Sequence, residues 1–412
     1  MKTFFLALAC AVAVSVQAQL PTTSPKAAGF NPARLDVLHA TTKRFVEEGK
    51  HAGIITLIAR DGKIVDFQTS GYRDVENKLP MERDTICRVY SMSKIITCAA
   101  TLILLEEGKF NLDDPITKYL PELKEMKVWT GGTMDAPQTE ALKRPITIKH
   151  LLTHTSGLIY DFAGDDELTK LWRSAGLWSG PGLTNFITKL GKLPLKQQPG
   201  DAYTYGVNMD VLGALIERVS GQRFGAFLEE RMFAPLAMKD TGFDVPPAKM
   251  NRLAKTYKLV DGKLVEDKPL IETWPEEGRG IEAGGAGIFS TAGDFARFAQ
   301  ILCNGGTLEG KRILGRKTIE LMTANHMVTL TNNPAAPARQ KGFGFGVEVT
   351  TDLGQLSVPS SIGQFGWYGA ATTYCQIDPK EKIVAIALVQ HFPFNQHNFF
   401  AAFQTGYYQA LK

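Results

Sequence analysis

The period of the apolar residues changes along the chain. Near the start, Gly53-Ile-Ile-Thr-Leu-Ile-Ala-Arg60 and Lys63-Ile-Val-Asp-Phe67 flank Asp61-Gly62. Two β-rich runs joined by Asp-Gly predict a hairpin, because that dipeptide accepts the positive φ of a tight turn. Near the end, Thr372-Thr-Tyr-Cys-Gln-Ile377 and Lys382-Ile-Val-Ala-Ile-Ala-Leu-Val389 flank Asp378-Pro379-Lys380-Glu381. Proline and a charged turn between two such runs predict a second hairpin. The middle of the chain follows a helical period. Met92 to Glu107 is apolar at Ile95, Cys98, Ala99, Leu102, Ile103 and Leu105, with Gly108 as a stop signal. Val211 to Val219 places Leu212, Leu215, Ile216 and Val219 on one face, with Gly221 beyond it. Ser290-Thr291-Ala-Gly-Asp294 caps a predicted helix over Phe295 to Leu302, and Phe399 to Leu411 predicts a last one. Strands at both ends and helices between them predict one sheet built from both termini with a helical insertion. A site is then expected where the two lobes meet.

The first residues break this pattern. Met1-Lys2 is a short positive start, Phe4 to Val16 is almost wholly apolar, and Val16-Gln17-Ala18 ends on a small residue. That is the layout of a signal peptide over residues 1–18, and the run is too short to span a bilayer comfortably. The mature chain, 19–412, is therefore expected to be periplasmic or secreted, without stable membrane insertion. Its composition is that of a globular protein: 44% apolar, 21% charged and a net charge of +4 over 412 residues. This excludes a disordered chain, a collagen and a coiled coil, and without a basic run nucleic acid is not an expected partner. Four cysteines remain after cleavage, Cys87, Cys98, Cys303 and Cys375, with no Cys-x-x-Cys pair. A zinc or thioredoxin-like site is not expected. One disulfide and four buried thiols both stay open.

Chemistry concentrates at Ser91-Met92-Ser93-Lys94. A Ser and a Lys at i and i+3 share one helix face, about 5–6 Å apart at Cβ. At a helix start the backbone N–H groups are free and the dipole favours developing negative charge. A hydroxyl attacks only once a base takes its proton, and a Lys in an apolar setting yields its own proton more readily. Alone, the spacing also fits a helix that begins with Ser and carries a solvated Lys one turn on.

The context is more specific. Cys87-Arg-Val-Tyr-Ser91-Met-Ser-Lys94 leads into an apolar helix ending at Gly108, then Leu112-Asp-Asp-Pro115. Ile146-Thr-Ile-Lys-His-Leu-Leu-Thr-His-Thr-Ser-Gly-Leu158, Pro199-Gly200, Met238-Lys-Asp-Thr241 and Gly284-Gly-Ala-Gly-Ile-Phe-Ser-Thr-Ala-Gly-Asp294 follow in order. Together they resemble the serine β-lactamase and penicillin-binding-protein superfamily. Within it they are similar to the branch of class C β-lactamases, D-alanyl-D-alanine carboxypeptidases and family VIII carboxylesterases, and nearest to the last. The resemblance implies an α/β (α+β), β-lactamase/transpeptidase-like fold with an antiparallel sheet. The sheet lobe would take about 19–84 plus 340–412, and the mostly helical lobe about 85–339.

The same resemblance implies site residues. Ser91 is the nucleophile and Lys94 its partner. The second motif of the family is Tyr-x-Asn; Tyr205 matches its Tyr, Tyr203 is the competitor, and Val207 stands where Asn would be. A phenol beside an ammonium has a lowered pKa and can pass a proton to a leaving group. Gly363-Gln-Phe-Gly-Trp367-Tyr368-Gly369-Ala370 matches the Trp-x-Gly form of the third motif. It implies Trp367, Tyr368 and Gly369 as substrate-binding residues, and the N–H groups of Ser91 and Ala370 as the oxyanion hole. Whether Lys94 or Tyr205 is the base stays open.

Other candidates point elsewhere. No Gly-x-Ser-x-Gly elbow occurs. His150 and His154 are four apart, but no Glu follows His150 as a zincin requires. Gly284-Gly285-Ala-Gly287 lacks the Lys-Ser/Thr of a phosphate cradle and reads as a loop against the site. Tyr160, Phe162, Trp172 and Trp178 are candidates for an apolar acyl pocket, with core packing the alternative. No metal and no organic cofactor is implied. The expectation is an exported serine hydrolase that cleaves small-molecule carboxylic esters through an acyl-enzyme, with weak β-lactam hydrolysis as a side activity. The alternatives are a β-lactamase or D-alanyl-D-alanine carboxypeptidase, a transacylase, or a non-catalytic penicillin-recognition protein.

Overall fold

Asp61 and Gly62 both take positive φ, 51° and 76°, and turn strand Gly53–Arg60 back into Lys63–Asp74 as an antiparallel hairpin. In this computed structural model, which describes residues 19–162, 164–268, 280–327 and 341–412, the second expected hairpin pairs Thr373–Asp378 with Ile383–Leu388. Its turn is held by Asp378 Oδ1, which accepts the N–H groups of Lys380 at 3.0 Å and Glu381 at 3.1 Å. The hairpins then join edge to edge, Ile55 opposite Leu388 and Ile58 opposite Ala385, again antiparallel. Short strands extend the sheet to eight, from Gly342–Phe343 at one edge to Leu79–Pro80 at the other. One antiparallel sheet is thus built from both chain ends. The signal-peptide expectation, residues 1–18, lies outside the described residues.

Both faces of this sheet are covered. Ile55, Leu57, Ala59, Val384, Ile386 and Leu388 enter the main core. Ile54, Ile58, Ile383, Ala385 and Ala387 enter a second one, under helices Pro32–Glu47 and Phe399–Gln409. That is why the strands read as unbroken apolar runs rather than alternating ones. A one-residue slip would exchange the two faces and misfit every side chain, so register is strongly specified.

Helix Ser93–Glu106 is buried from Ser93 through Leu104, which marks it as a central rather than an amphipathic surface helix. It packs on helix Asn208–Ser220, whose end is set by Gly221 at φ 72°. Helix Ala292–Cys303 starts at Thr291, whose hydroxyl accepts the Asp294 N–H at 3.1 Å. This helix packs across strands Ile383–Leu388, Gly53–Arg60 and Thr373–Asp378. It therefore forms part of the layer against the sheet, where its apolar residues join the main core with the strands' inner face. Cys87, Cys98, Cys303 and Cys375 are all free thiols, and burial pushes Cys87 and Cys303 up to about 12. No helix among the described residues is long and apolar enough to cross a membrane.

Candidate active site

The chain reaches Ser91 through a sharp bend. Tyr90 takes φ 46°, a conformation costing an L residue about 1–2 kcal/mol. A short 3₁₀ turn, Tyr90–Met92, then feeds directly into helix Ser93–Glu106. Ser91 thus stands one turn ahead of the α-helix, and Lys94 is the helix's second residue. Lys94 Nζ donates to Ser91 Oγ at 3.0 Å and to the Gly285 carbonyl at 2.6 Å. Its side chain is almost fully buried.

Tyr205 closes the triangle. It lies in the loop before helix Asn208–Ser220, and its hydroxyl donates to Ser91 Oγ at 2.9 Å. Lys94 Nζ lies 4.7 Å from the centre of the Tyr205 ring and 5.5 Å from that of Tyr160. The competitor Tyr203 turns its ring onto Phe343 and His154 instead. Val207, at the position of the missing Asn, is completely buried. The neighbouring Asn208 does not replace it: its amide meets Ser156 Oγ at 2.5 Å and His154 Nδ1 at 2.8 Å.

Strand Phe365–Gly369 forms the opposite wall. Trp367 Nε1 donates to the Tyr205 hydroxyl at 3.3 Å, and its ring packs on Tyr205 and Phe343. Gly369 lies hard against the loop preceding Ser91. A Cβ there would stand 2.3 Å from the Val89 carbonyl oxygen and 2.1 Å from Thr373 Oγ1, so only glycine lets strand and loop meet. Ala370 follows at the strand end. Tyr368, expected to bind substrate, is placed away from Ser91. Its ring lies on the other face of the sheet, stacked on Phe400 at 5.0 Å, with its hydroxyl on Glu348 at 2.5 Å. Successive residues of a strand point to opposite faces, so Trp367 and Tyr368 cannot both face Ser91.

The remaining candidates are sorted by their partners. His150 Nδ1 accepts the Thr147 N–H at 3.2 Å and completes a capping box. Trp172 is fully buried with its indole N–H on the Pro194 carbonyl, and Trp178 packs on Phe186. Only Tyr160 and Phe162 of that aromatic set adjoin the site, Tyr160 through Tyr205 and Phe162 through Tyr160.

A further residue, which no motif marks, lies close to Lys94. Asp210 is fully buried, and its Oδ1 accepts the Gly285 N–H at 2.9 Å. Burial pushes its carboxyl up to about 6, against the pull of that N–H and of the Lys94 charge. A Cβ on Gly285 would lie 2.8 Å from both Asp210 Oδ2 and the Tyr160 hydroxyl. The glycine-rich loop therefore does lie against the site, linking Asp210 to Lys94 through its backbone. An Asp in the first turn of a helix usually complements the dipole, and that ordinary reading conceals it.

A Ser–Lys–Tyr cluster with a buried Lys and a half-buried Ser and Tyr, between a helical layer and the end of an antiparallel strand, defines a serine hydrolase of the β-lactamase type. The chain belongs to the beta-lactamase family, which matches residues 38–406. It is 33% identical over 366 residues to protein Rv1367c of Mycobacterium tuberculosis, covering 87% of this chain and 90% of that one. It is 30% identical over 360 residues to esterase EstB of Burkholderia gladioli, covering 82% and 84%. Among solved structures it superposes on EstCE1, described as a hydrolase with promiscuous acyltransferase activity, with a TM-score of 0.76 at 27% identity, covering 91% and 99%.

Proposed function

We propose that this protein is an exported carboxylesterase that works through an acyl-enzyme on Ser91. The observation that carries the reading is the Ser91 hydroxyl held by Lys94 and Tyr205 at 3.0 and 2.9 Å, with the neutral Trp367 indole on Tyr205. Both partners donate to Ser91 in this arrangement, so one proton has to be absent from the Lys94–Tyr205 pair before Ser91 can lose its own. Ser91 Oγ then bonds to the ester carbonyl carbon as its proton passes to that pair. The pair returns the proton to the alcohol oxygen as the C–O bond breaks. Water, activated by the same groups, cleaves the acyl-enzyme and releases the acid. The N–H groups of Ser91 and Ala370 are the proposed oxyanion donors, supported by the close seating of Gly369 on the loop before Ser91. The esterase among the relatives supports the same substrate class. Export rests on the layout of residues 1–18.

The test is a panel of p-nitrophenyl butyrate, nitrocefin and a D-alanyl-D-alanine peptide. Hydrolysis of the butyrate, abolished once a fluorophosphonate has labelled Ser91, is the expected result. Turnover of nitrocefin or the peptide in preference to every ester would replace the reading with a β-lactamase or carboxypeptidase. For export, N-terminal sequencing of protein recovered outside the cytoplasm is expected to begin at Gln19.

A further inference from the structure

Phe162 is 68% exposed, more than any other large apolar side chain among the described residues. It is nonetheless placed by a partner. Its ring lies on Tyr160 with centroids 4.8 Å apart and planes 17° from parallel. Tyr160 is itself buried, with the Lys94 ammonium 5.5 Å from its ring and Tyr205 5.5 Å away on another side. The rings Phe162, Tyr160, Tyr205, Trp367 and Phe343 thus form one continuous aromatic wall past Ser91. Its outer end is an apolar face turned to water.

The chemistry proposed for Ser91 assigns that face an occupant. The tetrahedral carbon carries Ser91 Oγ, the oxyanion, the departing alcohol oxygen and the acyl substituent. The oxyanion takes the Ala370 side. The alcohol oxygen must meet the Tyr205 hydroxyl to receive its proton, where the Trp367 indole also lies. The direction left for the acyl group runs past Lys94 toward Tyr160 and Phe162. Phe162 lies one ring beyond Tyr160, with centroids 4.8 Å apart, so this direction favours a medium-length chain, each added bond extending it by about 1.3 Å, over an acetyl group. Resting on the esterase reading, we propose that Phe162, stacked on Tyr160, is a specificity-determining residue that covers the distal part of a medium-length, uncharged acyl chain.

The experiment measures kcat and KM for p-nitrophenyl acetate, butyrate, hexanoate and octanoate with wild type, Phe162→Ala and Phe162→Tyr. A parallel series of alkyl acetates varies only the alcohol. In Phe162→Ala the octanoate-to-acetate ratio of kcat/KM is expected to fall about 5–20-fold, through KM rather than kcat, the apolar area of one ring face being lost. Phe162→Tyr, which keeps the face, is expected to restore the ratio, and the alkyl acetate series is expected to keep its profile. Equal losses on acetate and octanoate, or a loss that follows alcohol length instead, would overturn the inference while leaving the esterase reading intact. A wild type that hydrolyses none of these esters would overturn the reading and the inference with it.

Discussion

Asp210 and Lys94 meet on a single residue: Gly285 gives its N–H to the Asp210 carboxyl at 2.9 Å and receives the Lys94 ammonium on its carbonyl at 2.6 Å. The buried acid thus polarises a backbone segment toward the ammonium beside the nucleophile, without touching substrate. Asp210 is a positioning residue: it holds the backbone of Gly285, whose carbonyl receives the Lys94 ammonium.

Asp210→Asn is expected to keep the fold, because the amide oxygen can still accept the Gly285 N–H. Loss of the titrating carboxyl is expected to remove the change in kcat/KM for p-nitrophenyl butyrate that the wild type shows near pH 6. Wild-type activity is expected to change as pH falls through about 6, where Asp210 itself takes up a proton. An unchanged pH profile in the variant would remove Asp210 from this role.

Ser91→Ala is expected to abolish fluorophosphonate labelling and lower turnover by several orders of magnitude. Lys94→Met and Tyr205→Phe should each depress single-turnover acylation steeply, and the double variant should lose less than the sum of the two, because both act on one hydroxyl. Additive losses would show two independent roles. Retained labelling in Ser91→Ala, with loss in Ser93→Ala, would mean that Ser93 is the nucleophile.

Trp367→Lys places a cation where the wild type has an indole over the Tyr205 hydroxyl. Penicillins and D-alanyl peptides carry a carboxylate that such a cation can hold. Binding that carboxylate without a partner costs on the order of 1–3 kcal/mol, or about 10–100-fold. The variant is expected to narrow the gap in kcat/KM between p-nitrophenyl butyrate and nitrocefin by improving the anionic substrate. A constant ratio in both proteins would show that Trp367 does not set the preference.

Stability is expected to depend on a histidine cluster far from Ser91 in sequence. His51 is fully buried against Phe45, Phe399, His391 and His397. Burial, then the neighbouring histidines and Lys50, lowers it to about 3, and burial also lowers His391 and His397. The sign follows from proton counting. Below about 6.5 the unfolded chain binds protons at these rings and the folded chain does not, so stability falls as pH falls from 6.5 toward 3. At pH 4.5 the His51 contribution alone is about 2–3 kcal/mol. His51→Phe, which suits the aromatic surroundings, is expected to flatten the decline of Tm between pH 7 and 4.5. A slope equal to that of the wild type would show that other groups dominate acid unfolding.

Features set by short-range interactions can be read from the residues alone. Two hairpins follow from Asp61-Gly62 and Asp378-Pro379, because turn residues and strand runs are neighbours in the chain. Ser91 and Lys94 meet because one helical turn brings them together, and the helix stops at Gly108 and Gly221 are local conformations. Tyr205 and Trp367 were legible only through the order of motifs, since nothing local brings residues so far apart in the chain to one hydroxyl. Tertiary structure alone decided the rest. The pleat separates Trp367 from Tyr368, but which of the two meets Ser91 depends on the helices that cover each face of the sheet. Asp210 looks like an ordinary first-turn acid until the Gly284-Gly285 loop folds over it and removes it from water. Phe162 gains its meaning only from the ring beneath it, because stacking, burial and a direction toward the reacting carbon are properties of the packed chain.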